Sequence, residues 1–230
     1  MEETKNLIGN YASKAAQSTL LRSVYVWMTL ALVITGFVSM YVAQSYQLIS
    51  FIFGNKLALW GMLIAELAVV FYLSARINSI SFTKATVMFI IYSILNGATL
   101  ASIFLVYTMS SIASTFFVAA GTFGVMALYG YITKSDLTRI GNICLMALIG
   151  LIIATLVSMF WLQMIITYVG VILFVGLTAY DSQKIKRLLT ADGIEVTEET
   201  QKIALLGALT LYLDFINLFL YLLRLLGDRK

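Results

Sequence analysis

Long apolar runs dominate the chain, broken by short polar clusters, and nowhere do apolar and polar positions alternate with the period of two that a strand requires. No charged residue falls within 23–55, 85–133 or 140–180. A membrane-crossing helix needs about 20 apolar residues, so each of the last two windows must hold a pair of helices. Their turns are expected at 108–111 and 161–163, where polar or interface-type aromatic residues interrupt the runs. The pattern predicts helices over 24–44, 57–75, 85–107, 112–132, 140–160, 164–181 and 203–226. The runs are also too long for barrel strands. The expected fold is an all-α polytopic membrane protein, a seven-transmembrane-helix bundle forming a single domain over 1–230. Residues 1–22 are expected as a cytosolic amino-terminal segment in which Tyr11, Ala12, Ala15, Ala16 and Leu20 form a short interfacial helix. Residues 182–202 are expected as a cytosolic loop leading into the last helix.

Composition agrees with the pattern: 61% of residues are hydrophobic and 11% charged, against about 25% charged in ordinary soluble domains. There is no histidine, so no serine–histidine or cysteine–histidine pair exists and zinc would lack its commonest ligand. There is no proline either, so any kink must come from Gly, Ser or a local bulge. The lone Cys144 sits in an apolar run and reads as a packing residue. The net charge of +4 does not point to a nucleic-acid partner, because the basic residues flank the spans as topology signals do. Lys5, Lys14, Arg22, Arg76, Lys84, Lys134, Arg139, Lys184, Lys186, Arg187 and Lys202 fall on one side of the predicted helices and only Lys56 on the other. That bias places the amino terminus in the cytosol. Arg224, Arg229 and Lys230 then leave two choices for the last helix: it spans against its local charge, or it is re-entrant.

Three acids lie in the apolar helices: Glu66, Asp181 and Asp214. Asp214 is the only charged residue between Ile203 and Leu223, and a lone carboxylate at that depth costs roughly 2.5–3.5 kcal/mol on insertion scales. Gly207, Thr210, Asp214, Asn217, Tyr221 and Arg224 recur at steps of three and four. This small and polar stripe must face other helices or a wet cavity, which makes the last helix a candidate for the centre of the bundle. Asp181 is the obvious partner for Asp214. Two carboxyls within hydrogen-bonding distance cannot both ionise easily, so they would share a proton, and its loss would leave two repelling charges and a ligand set for a hard cation. Blander readings remain: Asp181 paired with Lys184 at a helix end, and Glu66 bonded to a neighbouring backbone. Ser93, Gly97 and Ala101, four apart, read as a packing face.

The stretches GLTAYDSQKIKRL (176–188) and GALTLYLDFINLFLYLLRLLG (207–227) resemble the two signature segments of the Bax inhibitor-1 family. LRSVYVWMTLALVITGF (21–37), NGATLASIFLVYT (96–108) and FFVAAGTFGVMALYGYITKSDL (116–137) extend the likeness along nearly the whole chain. The resemblance implies a last helix enclosed by the other six and a pH-sensitive calcium leak. It makes Asp181 and Asp214 the pH sensor and transient calcium ligands, puts Glu66 in the ion path, and gives Arg76 the position of a latch, with Thr210 and Asn217 as polar support. Calcium is then a permeant ion, with no tightly bound cofactor. The resemblance also implies a membrane-bound protease as a partner in bacteria, or a role in cell death in eukaryotes. The compact ends and short loops favour the bacterial inner membrane.

Two other functions compete. A non-conducting regulator would use the aspartates only to fix helix packing. An intramembrane aspartyl protease would share Tyr180-Asp181 but expects Gly-x-Gly-Asp where the chain reads Leu211-Tyr212-Leu213-Asp214.

Overall fold

The computed structural model describes residues 2–157, 162–191 and 193–230. Its helices are α1 (Glu2–Gln44), α2 (Tyr46–Gly54), α3 (Lys56–Arg76), α4 (Phe82–Leu100), α5 (Ile103–Val106), α6 (Met109–Ile132), α7 (Thr138–Val157), α8 (Leu162–Leu189) and α9 (Glu198–Leu226). Among the described residues, seven helical segments are long and apolar enough to cross a membrane, as the hydrophobic pattern requires. The last is the most buried: 67% of its apolar window lies inside the protein, against 11–44% for the others. Phe160 and Trp161, where the fifth predicted helix ends and the following turn begins, lie outside the described residues.

Helix starts are written in side chains. Ser45, Asn55, Ser81 and Thr108 each accept a hydrogen bond from a backbone N–H in the first turn that follows, supplying the acceptor that an exposed helix end needs. Several boundaries differ from the sequence expectation. The amino-terminal segment is one helix with the first span, because Ala16, Leu20, Val24 and Met28 form a continuous buried stripe at steps of four; the side chains of Tyr11 and Ala12 are outside the described set. Ser45 starts an extra short helix, α2. The third span breaks after Leu100, where Thr99 and Ser102 hydroxyls bond carbonyls three residues back and the backbone bonds tighten to the same spacing.

The expected loop over 182–202 is also shorter. Ser182, Gln183, Ile185 and Leu189 are buried on one face, which keeps α8 helical to Leu189. Thr197 and Thr200 cap each other through backbone N–H to hydroxyl bonds of 2.9 and 3.2 Å, with Glu198 and Glu199 at the positive end of α9.

The chain forms two compact units, Met1–Val106 with Arg187–Leu209, and Tyr107–Lys186 with Thr210–Lys230. In the first, the expected small-residue face of α4 meets α1. A Cβ on Gly97 would stand 2.8 Å from the Thr35 carbonyl oxygen, and Thr35 Oγ1 donates to the Ser93 carbonyl at 3.0 Å. At one end of this unit Lys202 Nζ donates to the carbonyls of Asn78 and Ile80, and the Phe82 N–H donates to Glu198 Oε1 at 2.8 Å.

In the second unit, Phe116 and Phe123 pack edge-on against Phe215 at centroid distances of 5.4 and 5.5 Å. At one end Gln183 accepts from the Leu137 N–H at 2.9 Å and donates to the Ser135 carbonyl at 2.8 Å. At the other, the Thr108 N–H donates to the Asp228 carbonyl at 3.1 Å, and the Asp228 N–H donates to Ser111 Oγ at 3.0 Å. The last helix therefore runs unbroken to the end where α6 begins. It has no re-entrant break and is long and apolar enough to cross a membrane.

Two outcomes follow. In a Cys144→Ser background, cysteines placed at Ser110 and at Lys230 are expected to react with an impermeant maleimide from the same side of the membrane, and one at Lys134 from the opposite side. Gly97→Leu is expected to cost on the order of 1–3 kcal/mol by overpacking, read as a lower thermal midpoint in detergent. Gly121→Leu, where an added Cβ meets nothing within 4 Å, is expected to be close to neutral.

Candidate functional site

The polar stripe of α9 faces a cavity of about 530 Å³ in the second unit. Thr210, Asp214, Asn217 and Tyr221 line it from α9, and Phe174, Leu177 and Asp181 from α8, at the same steps of three and four. Leu, Ile and one threonine, Thr155, of α7 complete the wall with Leu213 of α9. Close backbone approach holds these helices together. Gly130 of α6 leaves no room for a Cβ against the Ala179 carbonyl, and a Cβ on Gly170 would stand 2.6 Å from the Tyr221 ring. A Cβ on Gly176 would meet the Sγ of Cys144 at 2.9 Å, so this cysteine is buried packing, as its apolar surroundings predict.

Asp181 and Asp214 come together here, their carboxyls within hydrogen-bonding reach of each other. Asp181 does not end its helix: roughly 12 Å of α8 lies beyond it. Asp214 is 5% exposed. No donor among the described residues reaches its Oδ2, and the adjacent Asp181 donates only when it carries a proton. Lys184, one turn beyond Asp181, adds a positive charge near that carboxyl, while its nitrogen stands 5.9 Å from the centre of the Tyr180 ring.

Asn217 Nδ2 donates to the Leu213 carbonyl at 2.8 Å. Tyr221 stacks on Phe174 at 5.8 Å with 26° between the rings, and the Arg224 guanidinium stands 5.8 Å from the centre of the Tyr221 ring. Among the described residues no three His, Cys, Asp or Glu cluster as a metal centre.

Glu66 belongs to the first unit. Its Oε1 accepts from Thr99 Oγ1 at 2.8 Å and its Oε2 from Asn96 Nδ2 at 3.3 Å, so it bonds side chains of α4 rather than a neighbouring backbone. Tyr92, Asn96 and Thr99 share one face of α4, a second polar stripe that the sequence reading passed over although its steps of four and three were visible. Phe174 was passed over too, since nothing local marks an apolar residue as a cavity wall. Arg76 sits exposed in the last turn of α3.

Thr99→Val is expected to remove about 1–2 kcal/mol of stability, since it leaves a partly buried carboxyl short of a donor. Thr29→Val, at an exposed hydroxyl that bonds only its own helix, is expected to change the thermal midpoint little. Equal shifts for the two would mean that the Glu66 contact carries no weight.

Residues 17–230 match the family model described as "Inhibitor of apoptosis-promoting Bax1". The chain is similar to the inner membrane protein YbhL of Escherichia coli K12, with 51% identity over 222 residues covering 94% of each chain. It is 41% identical over 221 residues to an uncharacterized protein of Borreliella burgdorferi, covering 93% of this chain and 94% of that one. With an uncharacterized protein of Rickettsia prowazekii the identity is 38% over 239 residues, covering 100% of this chain and 99% of the relative.

Proposed function

The chain belongs to the Bax inhibitor-1 family of integral membrane proteins, and from that premise we propose that it is a pH-sensitive calcium leak gated by the proton that Asp181 and Asp214 share. The observation that supports this reading is the contact of a buried carboxyl, Asp214, with a half-buried one, Asp181, on the wall of a cavity between helices long and apolar enough to span a membrane.

With one proton between them the two groups are bonded and carry a single negative charge. Without it they repel at short range in a medium of low dielectric, where unit charges interact far more strongly than in water. Losing the proton therefore pushes α8 and α9 apart at this point and raises the attraction of the cavity for a divalent cation. Calcium passes as a transient ligand of both carboxylates, with Thr210 and Asn217 as polar support. In this reading Glu66, held by Thr99 and Asn96, is a further carboxylate of the path, and Arg76 is the candidate for a latch. The likeness to an inner membrane protein supports a bacterial inner membrane location. The distribution of Lys and Arg supports a cytosolic amino terminus.

Calcium flux into liposomes containing the purified protein is expected to change between mildly acidic and mildly alkaline pH, and Asp181→Asn and Asp214→Asn are each expected to flatten that response. A pH response that persists in both variants, or protein-independent flux alone, would leave the aspartates as packing residues of a non-conducting regulator.

A further inference from the structure

Beyond its carboxyl-bearing part the aspartate cavity has a largely apolar wall, which suggests an occupant besides an ion. Away from Asp181, Asp214, Thr210 and Asn217 the lining is mainly leucine, isoleucine and phenylalanine. Its volume, about 530 Å³, falls in the range of about 300–1,000 Å³ typical of sites for small organic molecules. Apolar walls with a few convergent polar groups are also the usual make-up of such sites. We propose that this cavity binds an amphiphilic organic ammonium ion, with its charged head between Asp181 and Asp214 and its apolar body along α7.

The head group fits the chemistry of the pair. Asp214 is almost fully buried and no donor among the described residues reaches its Oδ2. An ammonium has three donors and no acceptor. Placed between the two carboxylates, it supplies the same single positive charge as the shared proton, so the net charge of the site is unchanged, and it satisfies more of the oxygen lone pairs. A neutral alcohol of the same shape brings no charge and a single donor.

The body of the ligand fits the α7 wall. Leu145 and Ile152 line the cavity yet are 45% and 52% exposed. An amphiphile already partitioned into the bilayer therefore meets an apolar surface continuous with the cavity, and need not approach through water. Leu148 lies between them in the sequence and on the same lining, on a different helix from either aspartate.

The inference uses the same aspartates as the leak but does not rest on ion conduction, and its test reads binding instead of flux. Purified protein in nanodiscs is titrated with n-octylammonium, with n-octanol as the neutral isostere and methylammonium as the head group alone, following heat release and the thermal midpoint. Saturable octylammonium binding is expected, with octanol giving only unsaturable partitioning. Asp214→Asn is expected to weaken octylammonium at least about tenfold, which corresponds to about 1.4 kcal/mol. Leu148→Trp, which narrows the cavity and leaves the pair intact, is expected to weaken octylammonium while leaving methylammonium unchanged. Octanol and octylammonium binding alike, or octylammonium indifferent to Leu148→Trp, would overturn the proposal even where the Asp214 variant fails to fold.

Discussion

A carboxyl group cannot be left alone in hydrocarbon, and the arrangement of the second unit follows from how Asp214 avoids that fate. Water supplies hydrogen bonds to a solvent-exposed acid without structural consequence. Inside a membrane the protein must supply them, or the group must hold a proton and a neighbour able to share it. Here the neighbour is Asp181, also an acid, and this choice distinguishes the site from an ordinary buried ion pair. A lysine or arginine partner would have fixed the charge state. A second carboxyl fixes no charge state, and the proposed reading makes the contact depend on a proton.

The surrounding helices make that contact possible. Gly130 and Gly170 let α6 and the Tyr221 ring of α9 press closely against α8, and the aromatic group of Phe116, Phe123 and Phe215 fixes α6 against α9. The ends of the same unit are closed by polar contacts: Gln183 spans the Ser135 and Leu137 backbones, and Asp228 binds back to Thr108 and Ser111. The pair thus lies on two helices, α8 held near its carboxy-terminal end through Gln183 and α9 held just past its own through Asp228.

The seven spans were legible because hydrophobicity over some twenty residues is a sum to which every position contributes. The polar stripe of α9 was legible for a related reason: Thr210, Asp214, Asn217 and Tyr221 are conspicuous against Leu, Ile and Phe, and helical spacing alone puts them on one face. Asp181 could be named as their partner but not placed, because the contact depends on α8 continuing past it as a helix, and that continuation rests on burial of Ser182, Gln183 and Ile185. The helix boundaries that differed have equally local causes. Ser45 starts α2 through one hydroxyl, and Thr99 and Ser102 interrupt the third span through two. Such bonds are single events that no average over the sequence records. The partners of Glu66 lie thirty and more residues away along the chain, so only the packing of α3 on α4 could reveal them.

The most direct test of the central claim is a double-mutant cycle on Asp181 and Asp214, using thermal unfolding of wild type, Asp181→Asn, Asp214→Asn and the double variant in the same lipid environment. A shared proton predicts strong non-additivity, with a coupling of at least about 1 kcal/mol that varies with pH. Additive effects at every pH would contradict the account, because two carboxyls that do not sense each other's substitution cannot be holding one proton between them.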